Sequence, residues 1–147
     1  MLSWSIKNFD DLTPHELYAI LQLRNEVFVV EQQCVFQDAD GKDPLCRHIM
    51  GREGATLLAY TRLVPPGISY AEPSIGRVVT APKARGGGLG RQLMEYSVDQ
   101  CHTLFGPRPI RIGAQCYLEK FYTSLGFYRD SEIYLEDGIQ HIEMIRS

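Results

Sequence analysis

Apolar and polar positions along the chain change their spacing several times, and each change marks a predicted element. Residues 2–9 alternate loosely between polar and apolar, which predicts a strand. Residues 17–28 instead carry apolar side chains at helical spacing, and this helix opens at Thr13, a predicted N-cap followed by Pro14 and, three residues on, by Glu16. One face of this helix should therefore pack on a core.

The remainder of the chain continues a mixed order of strands and helices. Further strands are predicted at residues 47–51, 56–63, 74–80, 110–114, 128–136 and 141–145, with an Asp137-Gly138 turn between the last two. The glycine-rich segment 85–90 runs into a helix whose apolar side includes Leu89, Leu93, Tyr96 and Leu104. A shorter helix with Leu118, Phe121, Tyr122 and Leu125 would stop at Gly126. This order predicts an α/β fold whose sheet has parallel and antiparallel pairs.

Length and charge narrow the class of protein. A chain of 147 residues has the size of one domain, so we expect residues 1–147 to form a single unit. The net charge of −3 argues against a nucleic-acid partner, which calls for a basic face. No stretch approaches the roughly 20 apolar residues that span a bilayer, and the first ten residues lack a signal-peptide pattern. We therefore expect a cytoplasmic protein without a membrane partner.

Four cysteines form no C-x-x-C pair, so the sequence favours free thiols in a reducing compartment. Cys34, Cys46 and His48 could together bind zinc, but their spacing is irregular and a fourth ligand is missing. We expect no metal site.

The turn from the 74–80 strand into the next helix is rich in glycine and basic residues. Its sequence from Ala81 to Gly90 is APKARGGGLG, and Arg91 follows. Glycines let the backbone approach a ligand closely, and the first turn of a helix offers unpaired N–H groups with partial positive charge. The pattern predicts an anion site suited to a diphosphate. A flexible turn without a ligand is the alternative.

Two other phosphate loops fail on their residues. A Walker loop needs Gly-Lys-Ser/Thr, but Gly90 is followed by Arg91-Gln92. A dinucleotide loop needs G-x-G-x-x-G, but the sixth position counted from Gly86 is Arg91, and that counted from Gly88 is Leu93.

The segment Thr80–Gly90 resembles the acetyl-CoA signature of the GCN5-related N-acetyltransferases (GNAT), Arg/Gln-x-x-Gly-x-Gly/Ala after the fourth strand. The segment Phe121–Phe127, at the end of a predicted helix, resembles a second signature of that family. The segments Leu23–Gln32, Asp38–Gly41 and Glu136–His141 resemble the ElaA-like subgroup, so that the resemblance covers nearly the whole chain.

The resemblance implies the GNAT acyl-CoA acyltransferase fold, with a mixed central sheet, parallel fourth and fifth strands splayed apart, and helices on both faces. It implies transfer of an acetyl group from acetyl-CoA to a primary amine by direct attack in a ternary complex. The fourth strand would bulge at Gly76-Arg77, and the N–H of Val78 would polarise the thioester carbonyl. The implied coenzyme A contacts are Val78, Thr80, Arg85, Gly86, Gly87, Gly88, Leu89, Gly90 and Gln115.

By the same resemblance, Tyr122 would protonate the departing thiolate. A phenol with a pKa near ~10 and a thiol near ~8.5 exchange a proton readily. A core tyrosine on an apolar helix face is the alternative, which Leu118 and Leu125 also allow. At Gln115 and Leu118 the family often has Asn and a small residue; Gln115 keeps the side-chain amide with a longer reach, so the resemblance implies a contact with the cofactor arm.

The acceptor side is less defined. A protonated amine needs a base before it can attack, and the candidates are Glu31, Asp38, Asp40, His48 and His141. Of these, His141 would lie beside the acceptor cleft, although a structural role is the commoner one for such a histidine. Arg24 shares the apolar stripe of its helix and should point inward, where Glu31 could pair with it, as a brace or as a substrate clamp.

Several interpretations stay open. The acids Asp38, Asp40, Asp43, Glu136 and Asp137 could attract a cationic acceptor, either a small molecule or a protein side chain. Acyl transfer like that of acyl-homoserine lactone synthases is one rival, and a non-catalytic coenzyme A-binding module is another. The sequence is also compatible with a homodimer.

Overall fold

The computed structural model describes all of residues 1–147. The structure has three helices and eight strands, one strand more than predicted, and otherwise follows the predicted order. The strands are β1 (Leu2–Asn8), β2 (Arg47–Glu53), β3 (Thr56–Val64), β4 (Ser74–Thr80), β5 (Ile110–Gln115), β6 (Phe127–Arg129), β7 (Tyr134–Glu136) and β8 (Ile139–Arg146), and the helices are α1 (Pro14–Arg24), α2 (Leu89–Phe105) and α3 (Glu119–Thr123). No helix combines the length and the apolar character that crossing a membrane requires.

The strands form two antiparallel groups that meet at β4 and β5. The first group runs β1-β2-β3-β4, and the second runs β5-β8-β6 with β7 also paired to β8. No ladder joins β4 to β5, but the N–H of Arg111 donates to the carbonyl of Pro73 at 3.1 Å, where both strands begin. The two strands therefore start side by side and then separate. The predicted splay of the fourth and fifth strands is confirmed, whereas the predicted parallel pairing does not form, because every ladder in the structure is antiparallel.

Helices cover both faces of the first group. Neighbouring residues of a strand point to opposite faces, and Ile49 packs in one core cluster while Met50 packs in the other. The larger cluster includes Leu93 and Met94 of α2, and the smaller one includes Ile20 of α1. The predicted apolar faces of both helices are thus the ones that the fold buries.

The start of α1 has the predicted cap. Thr13 Oγ1 accepts from the N–H of Glu16 at 3.1 Å, and the Glu16 carboxylate accepts from the N–H of Thr13 at 2.9 Å. The far end of the helix differs from the prediction, because residues Asn25–Glu31 continue as a π-helix. Such stretches are rare and often occur at functional sites. Here it turns Val27, Phe28 and Glu31 toward the cavity described below.

The predicted strand over residues 128–136 is wrong as one element. The chain forms β6 and β7 as separate short strands, and residues 130–133 leave the ladder between them. Side-chain bonding replaces the ladder there, since Ser131 Oγ accepts from the N–H of Glu143 at 2.8 Å. The Asp137-Gly138 turn is confirmed, with φ values of +51° and +78° that suit a tight hairpin.

Candidate functional site

A cavity of about 650 Å³ opens where β4 and β5 separate. Its walls come from the ends of these two strands, the start of α2, the helix α3, the π-helical stretch and the turn between β7 and β8. Its volume lies in the range of small-molecule sites. Among the residues that line it are eight predicted to bind the cofactor, to bind the acceptor or to take part in catalysis: Val78, Thr80, Arg85, Gly90, Gln115, Tyr122, His141 and Glu31.

The bulge in β4 shapes one wall of this cavity. The β3–β4 ladder steps from Tyr60↔Val79 to Arg62↔Gly76, so that Arg77 and Val78 together face Thr61. Arg77 has a φ of +49°, which marks the kink close to the predicted Gly76-Arg77 position. Because no ladder covers the outer edge of β4, the backbone beside Val78 faces the gap toward β5.

The glycine-rich loop between β4 and α2 presents bare backbone amides. The N–H groups of Gly86, Gly87 and Gly88 donate to no protein acceptor. The first amides of α2 add further free donors. A Cβ added to any of these three glycines would meet no atom within 4 Å, and Gly86 and Gly88 have φ values of +93° and +81°. This donor set fits a phosphate or diphosphate group.

Basic side chains flank these amides, but one of them is already paired. Arg85 donates two hydrogen bonds to the Glu31 carboxylate, at 2.8 and 2.7 Å, across the mouth of the cavity. Hydrogen bonding to Arg85 lowers the pKa of Glu31 below its ordinary value, so the carboxylate is charged. Gly86, Gly87, Gly88 and Leu89 lie outside the cavity lining, at its rim.

Tyr122 lines the cavity from α3. Its ring is 5% exposed and packs edge-on against Phe121 and Phe127, with centroids 5.2 and 6.0 Å away. Its hydroxyl has no hydrogen-bond partner in the protein. Burial raises the pKa of Tyr122 well above its ordinary value, so the phenol keeps its proton near neutral pH. A hydroxyl at a cavity wall that has no hydrogen-bond partner in the protein is able to donate its proton to a bound ligand.

Gln115, at the end of β5, bridges to the opposite wall. Its side-chain amide nitrogen donates to Gln32 Oε1 at 3.3 Å. Gln32 follows the π-helical stretch and also lines the cavity. The predicted contact of Gln115 with a cofactor arm remains a prediction, and its position in the lining is compatible with it.

His141, in β8, lines the cavity beside Glu136. Its Nδ1 lies 2.8 Å from the carbonyl oxygen of Ile139, which can only accept, so Nδ1 carries the proton and Nε2 has a free lone pair in the neutral ring. Tyr134 stacks on the ring with centroids 5.8 Å apart. Glu136 Oε2 is 3.8 Å from Nε2. A histidine held in this tautomer can accept a proton through Nε2.

The remaining acceptor residues of the prediction lie elsewhere. Arg24, Asp38 and Asp40 do not line the cavity. The predicted pairing of Arg24 with Glu31 is wrong: Arg24 donates to Asp38 Oδ2 at 2.9 Å and to Asp43 Oδ1 at 2.8 Å. The predicted inward direction of Arg24 is confirmed, since the side chain is fully buried. We call the six residues joined here the arginine–aspartate cluster; they are Arg24, Arg62, Arg77, Asp38, Asp40 and Asp43.

Hydrogen bonds from arginine keep two carboxylates of this cluster ionised. Those from Arg62 hold the pKa of Asp40 far below its ordinary range. Burial alone would raise the pKa of Asp43, but hydrogen bonds from Arg24 and Arg62 outweigh it and leave the pKa lowered. Because three arginines neutralise three aspartates, the cluster offers no free negative charge to an acceptor. The prediction that Arg24, Asp38 and Asp40 bind the acceptor therefore finds no support in their positions.

The three candidate zinc ligands form hydrogen bonds to different groups of the protein. His48 Nε2 bonds to the carbonyl of Asp43 at 2.9 Å, and Nδ1 lies 2.6 Å from the Tyr60 hydroxyl. The Cys46 thiol donates to the carbonyl of Lys42, whereas Cys34 lies at the cavity and bonds to the carbonyl of Asp137. No group of three His, Cys, Asp or Glu side chains is placed to hold a metal.

Sequence reasoning missed parts of the cavity that depend on folding. Phe28 and Gln32 reach it through the π-helical stretch, which no helical period indicates. Gly113 in β5 also lines it, and a Cβ there would meet the hydroxyls of Tyr70 and Tyr134 at 2.9 and 3.0 Å. The signal available for Gly113 was a glycine inside a strand, which often marks a close approach.

Comparisons with known proteins agree with one another. Residues 26–147 match the family model described as an acetyltransferase (GNAT) domain. Protein ElaA of Escherichia coli strain K12 is 41% identical over 148 residues, which cover 99% of this chain and 97% of that protein. Its crystal structure is similar with a TM-score of 0.94 at 40% identity, over 100% of both chains.

Two further solved structures bear on the chemistry and the fold. An acyl-CoA N-acyltransferase from Pseudomonas aeruginosa has a TM-score of 0.95 at 46% identity, over 100% of both chains. The acyl-homoserine lactone synthase LasI has a TM-score of 0.79 over 99% of this chain and 89% of that chain, but at 11% identity this shows a common fold alone.

Proposed function

This chain belongs to the GNAT acetyltransferase family, in its ElaA-like group, and we propose that it transfers an acetyl group from acetyl-CoA to a primary amine. Acyl-CoA is the donor that this family uses. One observation carries the proposal: bare amides, a splayed strand edge and an uncommitted tyrosine hydroxyl meet around one cavity. This combination matches the diphosphate, the arm and the leaving thiolate of a coenzyme A thioester.

The donor would be held by backbone groups in the second half of β4 and in the loop that follows it. The amides of Gly86, Gly87 and Gly88, with those of the first turn of α2, would bind the diphosphate. The uncovered edge of β4 at Val78 and Thr80 would pair with the pantetheine arm as a neighbouring strand does. When bound, acetyl-CoA supplies an activated carbonyl for attack. The Val78 N–H donates a hydrogen bond to that carbonyl oxygen.

Two side chains would handle the protons. His141 Nε2 takes a proton from the ammonium of the acceptor, either directly or through a water, and leaves a nucleophilic amine. The acceptor nitrogen forms the new C–N bond as the C–S bond breaks. Tyr122 donates its proton to the departing sulfur and regains one from the nitrogen, so that free thiol and amide leave the site. No covalent acyl-enzyme is needed.

The acceptor is best matched by an amine with a second positive charge. Within the cavity, Glu31 is neutralised by Arg85, and Arg77 is neutralised inside the arginine–aspartate cluster. Glu136 and Asp137 at the acceptor end have no such partner, apart from the 3.8 Å approach of Glu136 to His141. A carboxylate there attracts a diamine or a lysine side chain more than an amine of the same length with one charge.

A paired-substrate assay tests both the reaction and this preference. Release of free thiol from acetyl-CoA would be measured with aliphatic diamines and with monoamines of equal chain length. We expect turnover with both, with kcat/KM about fivefold higher for the diamine, and a loss of that preference in Glu136→Gln. Glu132→Gln, an exposed acid outside the cavity, is the control. Equal rates for the two substrates would rule out the charge preference.

The same assay separates the rivals. Binding of coenzyme A with no thiol release across the panel would favour a non-catalytic binding module. Turnover with an acyl-carrier protein donor but none with acetyl-CoA would favour chemistry of the acyl-homoserine lactone synthase type.

The variant His141→Gln tests whether His141 acts as the general base. His141→Gln should lower kcat by about 100-fold or more, because a positioned base contributes about that much, while coenzyme A affinity stays unchanged. His15→Gln, at the exposed start of α1, is the control. An unchanged kcat in His141→Gln would remove this residue from the mechanism.

A further inference from the structure

Arg77 holds a backbone conformation that its side chain does not favour. Its φ of +49° is in the left-handed region, inside a strand and at the bulge of β4. Side chains with a Cβ avoid this region, whereas glycine enters it freely. Such a conformation persists only where the surrounding structure enforces it.

The side chain of Arg77 is held at several points. Its Nη2 donates to the carbonyl of Asp38 at 3.0 Å and to Asp40 Oδ2 at 3.4 Å. Its Nε lies 2.8 Å from Asp38 Oδ1, although this N–H does not point at the oxygen, so the contact is an ion pair rather than an aligned hydrogen bond. The guanidinium also lies 5.6 Å from the ring centroid of Phe36.

The two aspartates are themselves fixed from behind. Arg24 donates to Asp38 Oδ2 at 2.9 Å and to the Asp38 carbonyl at 3.0 Å. Arg62 donates two hydrogen bonds to the Asp40 carboxylate, at 2.8 and 2.6 Å. Asp43 accepts from both arginines, at 2.8 and 3.0 Å. The cluster thus ties α1 and β3 to the bulge of β4 through the loop that carries the aspartates.

Val78 follows Arg77 directly. In the bulged register the Val78 N–H faces the gap toward β5, because the N–H of Ala81 donates to the carbonyl of Leu58 on β3 and amide directions alternate along a strand. Without the extra residue, β4 would pair one position differently, and a shift of one residue reverses the direction of every side chain and backbone group. The conformation at residue 77 therefore decides where the amide of residue 78 points.

We propose that Arg77 is a positioning residue for acyl transfer: the arginine–aspartate cluster holds it in the left-handed conformation and thereby aims the Val78 N–H at the donor carbonyl. Arg77 affects turnover in this way only if the chain performs the proposed acetyl transfer. Its effect on the backbone of β4 can be observed without turnover, so the two proposals can fail separately.

Crystal structures of two variants test the backbone part. Arg77→Ala removes the guanidinium but keeps a Cβ, so we expect residue 77 to leave the positive-φ region and the β3–β4 ladder to change register. Arg77→Gly removes the guanidinium but tolerates positive φ, so we expect the bulge to remain. A φ near +49° with the same ladder in Arg77→Ala would overturn the proposal, whatever the wild-type activity.

Kinetics of the same variants test the positioning. We expect kcat to fall by about 100-fold in Arg77→Ala, as for the loss of one oxyanion donor, and by only about tenfold in Arg77→Gly. The Kd for coenzyme A should rise by much less than kcat falls, since the diphosphate amides are untouched and only the pairing of the arm with β4 changes. Arg52→Ala, which breaks a surface pair with Glu16, should leave kcat unchanged.

Three kinetic results would contradict the positioning role of Arg77. An unchanged kcat in Arg77→Ala, equal losses in the Ala and Gly variants, or a fall in kcat matched by an equal loss of coenzyme A affinity would each overturn the positioning role. Should Arg77→Ala fail to fold, Arg77→Lys takes its place. It keeps the charge but loses the planar fork, and an unchanged kcat in that variant would also overturn the proposal.

Discussion

At the scale of single residues, Tyr122 and Arg24 show how surroundings set the role of a side chain. Both lie in stretches whose apolar spacing predicts burial, and both are buried. The Tyr122 hydroxyl has no protein partner and Tyr122 lines the cavity, whereas each nitrogen of the Arg24 guanidinium donates to Asp38 or Asp43. A polar group at a cavity wall without a hydrogen-bond partner is available to react with a substrate. A buried group whose hydrogen bonds are all made within the protein has a structural role.

Replacing Tyr122 with phenylalanine isolates its hydroxyl. Because that hydroxyl bonds to no protein group, Tyr122→Phe should leave the melting temperature and the coenzyme A affinity unchanged. We expect kcat to fall by about 100-fold, the usual contribution of a positioned acid. Thiol release under saturating acetyl-CoA measures it, with Tyr96→Phe on α2 as the control outside the cavity. Equal turnover in both variants would exclude Tyr122 as the acid.

The sequence predicted correctly that Arg24 is buried, but not which carboxylates it contacts. The helical stripe predicted that Arg24 points inward, but its partners lie 14 and 19 residues away on a loop. The path of that loop depends on the arginines it surrounds, so no local pattern indicates it. Glu31 was the nearer carboxylate in sequence, yet the π-helical stretch turns it to Arg85 instead.

At the scale of elements, the sequence predicted regular segments better than interrupted ones. The strand at residues 74–80 and the cap at Thr13 were predictable, because the strand preference of β-branched apolar residues and helix capping are local effects. The gap between β6 and β7 and the π-helical stretch were not. Each changes the backbone by a residue or a few, and only the packing of distant segments selects that change.

The loop before α2 allows a test with a matched glycine. Gly88 and Gly54 both have positive φ, +81° and +62°, and open space where a Cβ would lie. Gly88→Ala and Gly54→Ala should each lower the free energy of unfolding by about 1 kcal/mol through backbone strain. Only Gly88→Ala should also weaken coenzyme A binding, by about tenfold or more, because its methyl group would crowd the diphosphate.

Chemical denaturation and a coenzyme A titration of these two variants give both quantities. A similar loss of affinity in Gly54→Ala, which lies in the turn between β2 and β3, would show that strain alone accounts for the effect. Unchanged affinity in Gly88→Ala would mean that the diphosphate lies elsewhere.

At the scale of the whole molecule, two features combine to make the cavity. The strands split between β4 and β5, and the arginine–aspartate cluster holds the β4 side of the split against α1 and β3. The splay was predictable only through family resemblance, since nothing in the local sequence tells two neighbouring strands to separate. The cluster was not predictable, because it joins residues from four separate segments.

The cluster should make stability depend on acid pH. Hydrogen bonds from Arg62 lower the pKa of Asp40 in the folded state, so the unfolded chain binds its proton at a higher pH than the folded one does. The stability from this carboxylate is complete above its ordinary range, near ~4, and is lost as the pH falls below it.

Denaturant unfolding from about pH 6 down to about pH 3 measures this dependence. The wild type should lose stability steadily below about pH 4.5, and Asp40→Asn, which cannot ionise, should be less stable at pH 6 but show a shallower decline. Asp99→Asn, an exposed acid on α2, should follow the wild-type curve. Parallel curves for the wild type and Asp40→Asn would mean that Asp40 gains nothing from its pairing with Arg62.

Calorimetric titration of the wild-type protein with coenzyme A and with pantetheine tests the central claim most directly. Pantetheine keeps the arm and the thiol but lacks the diphosphate that the amides of the β4–α2 loop would bind. We predict saturable binding of coenzyme A and binding of pantetheine at least about 100-fold weaker, because several charge-assisted hydrogen bonds are lost. Equal affinities for the two ligands, or no heat with coenzyme A, would contradict a diphosphate site at the start of α2.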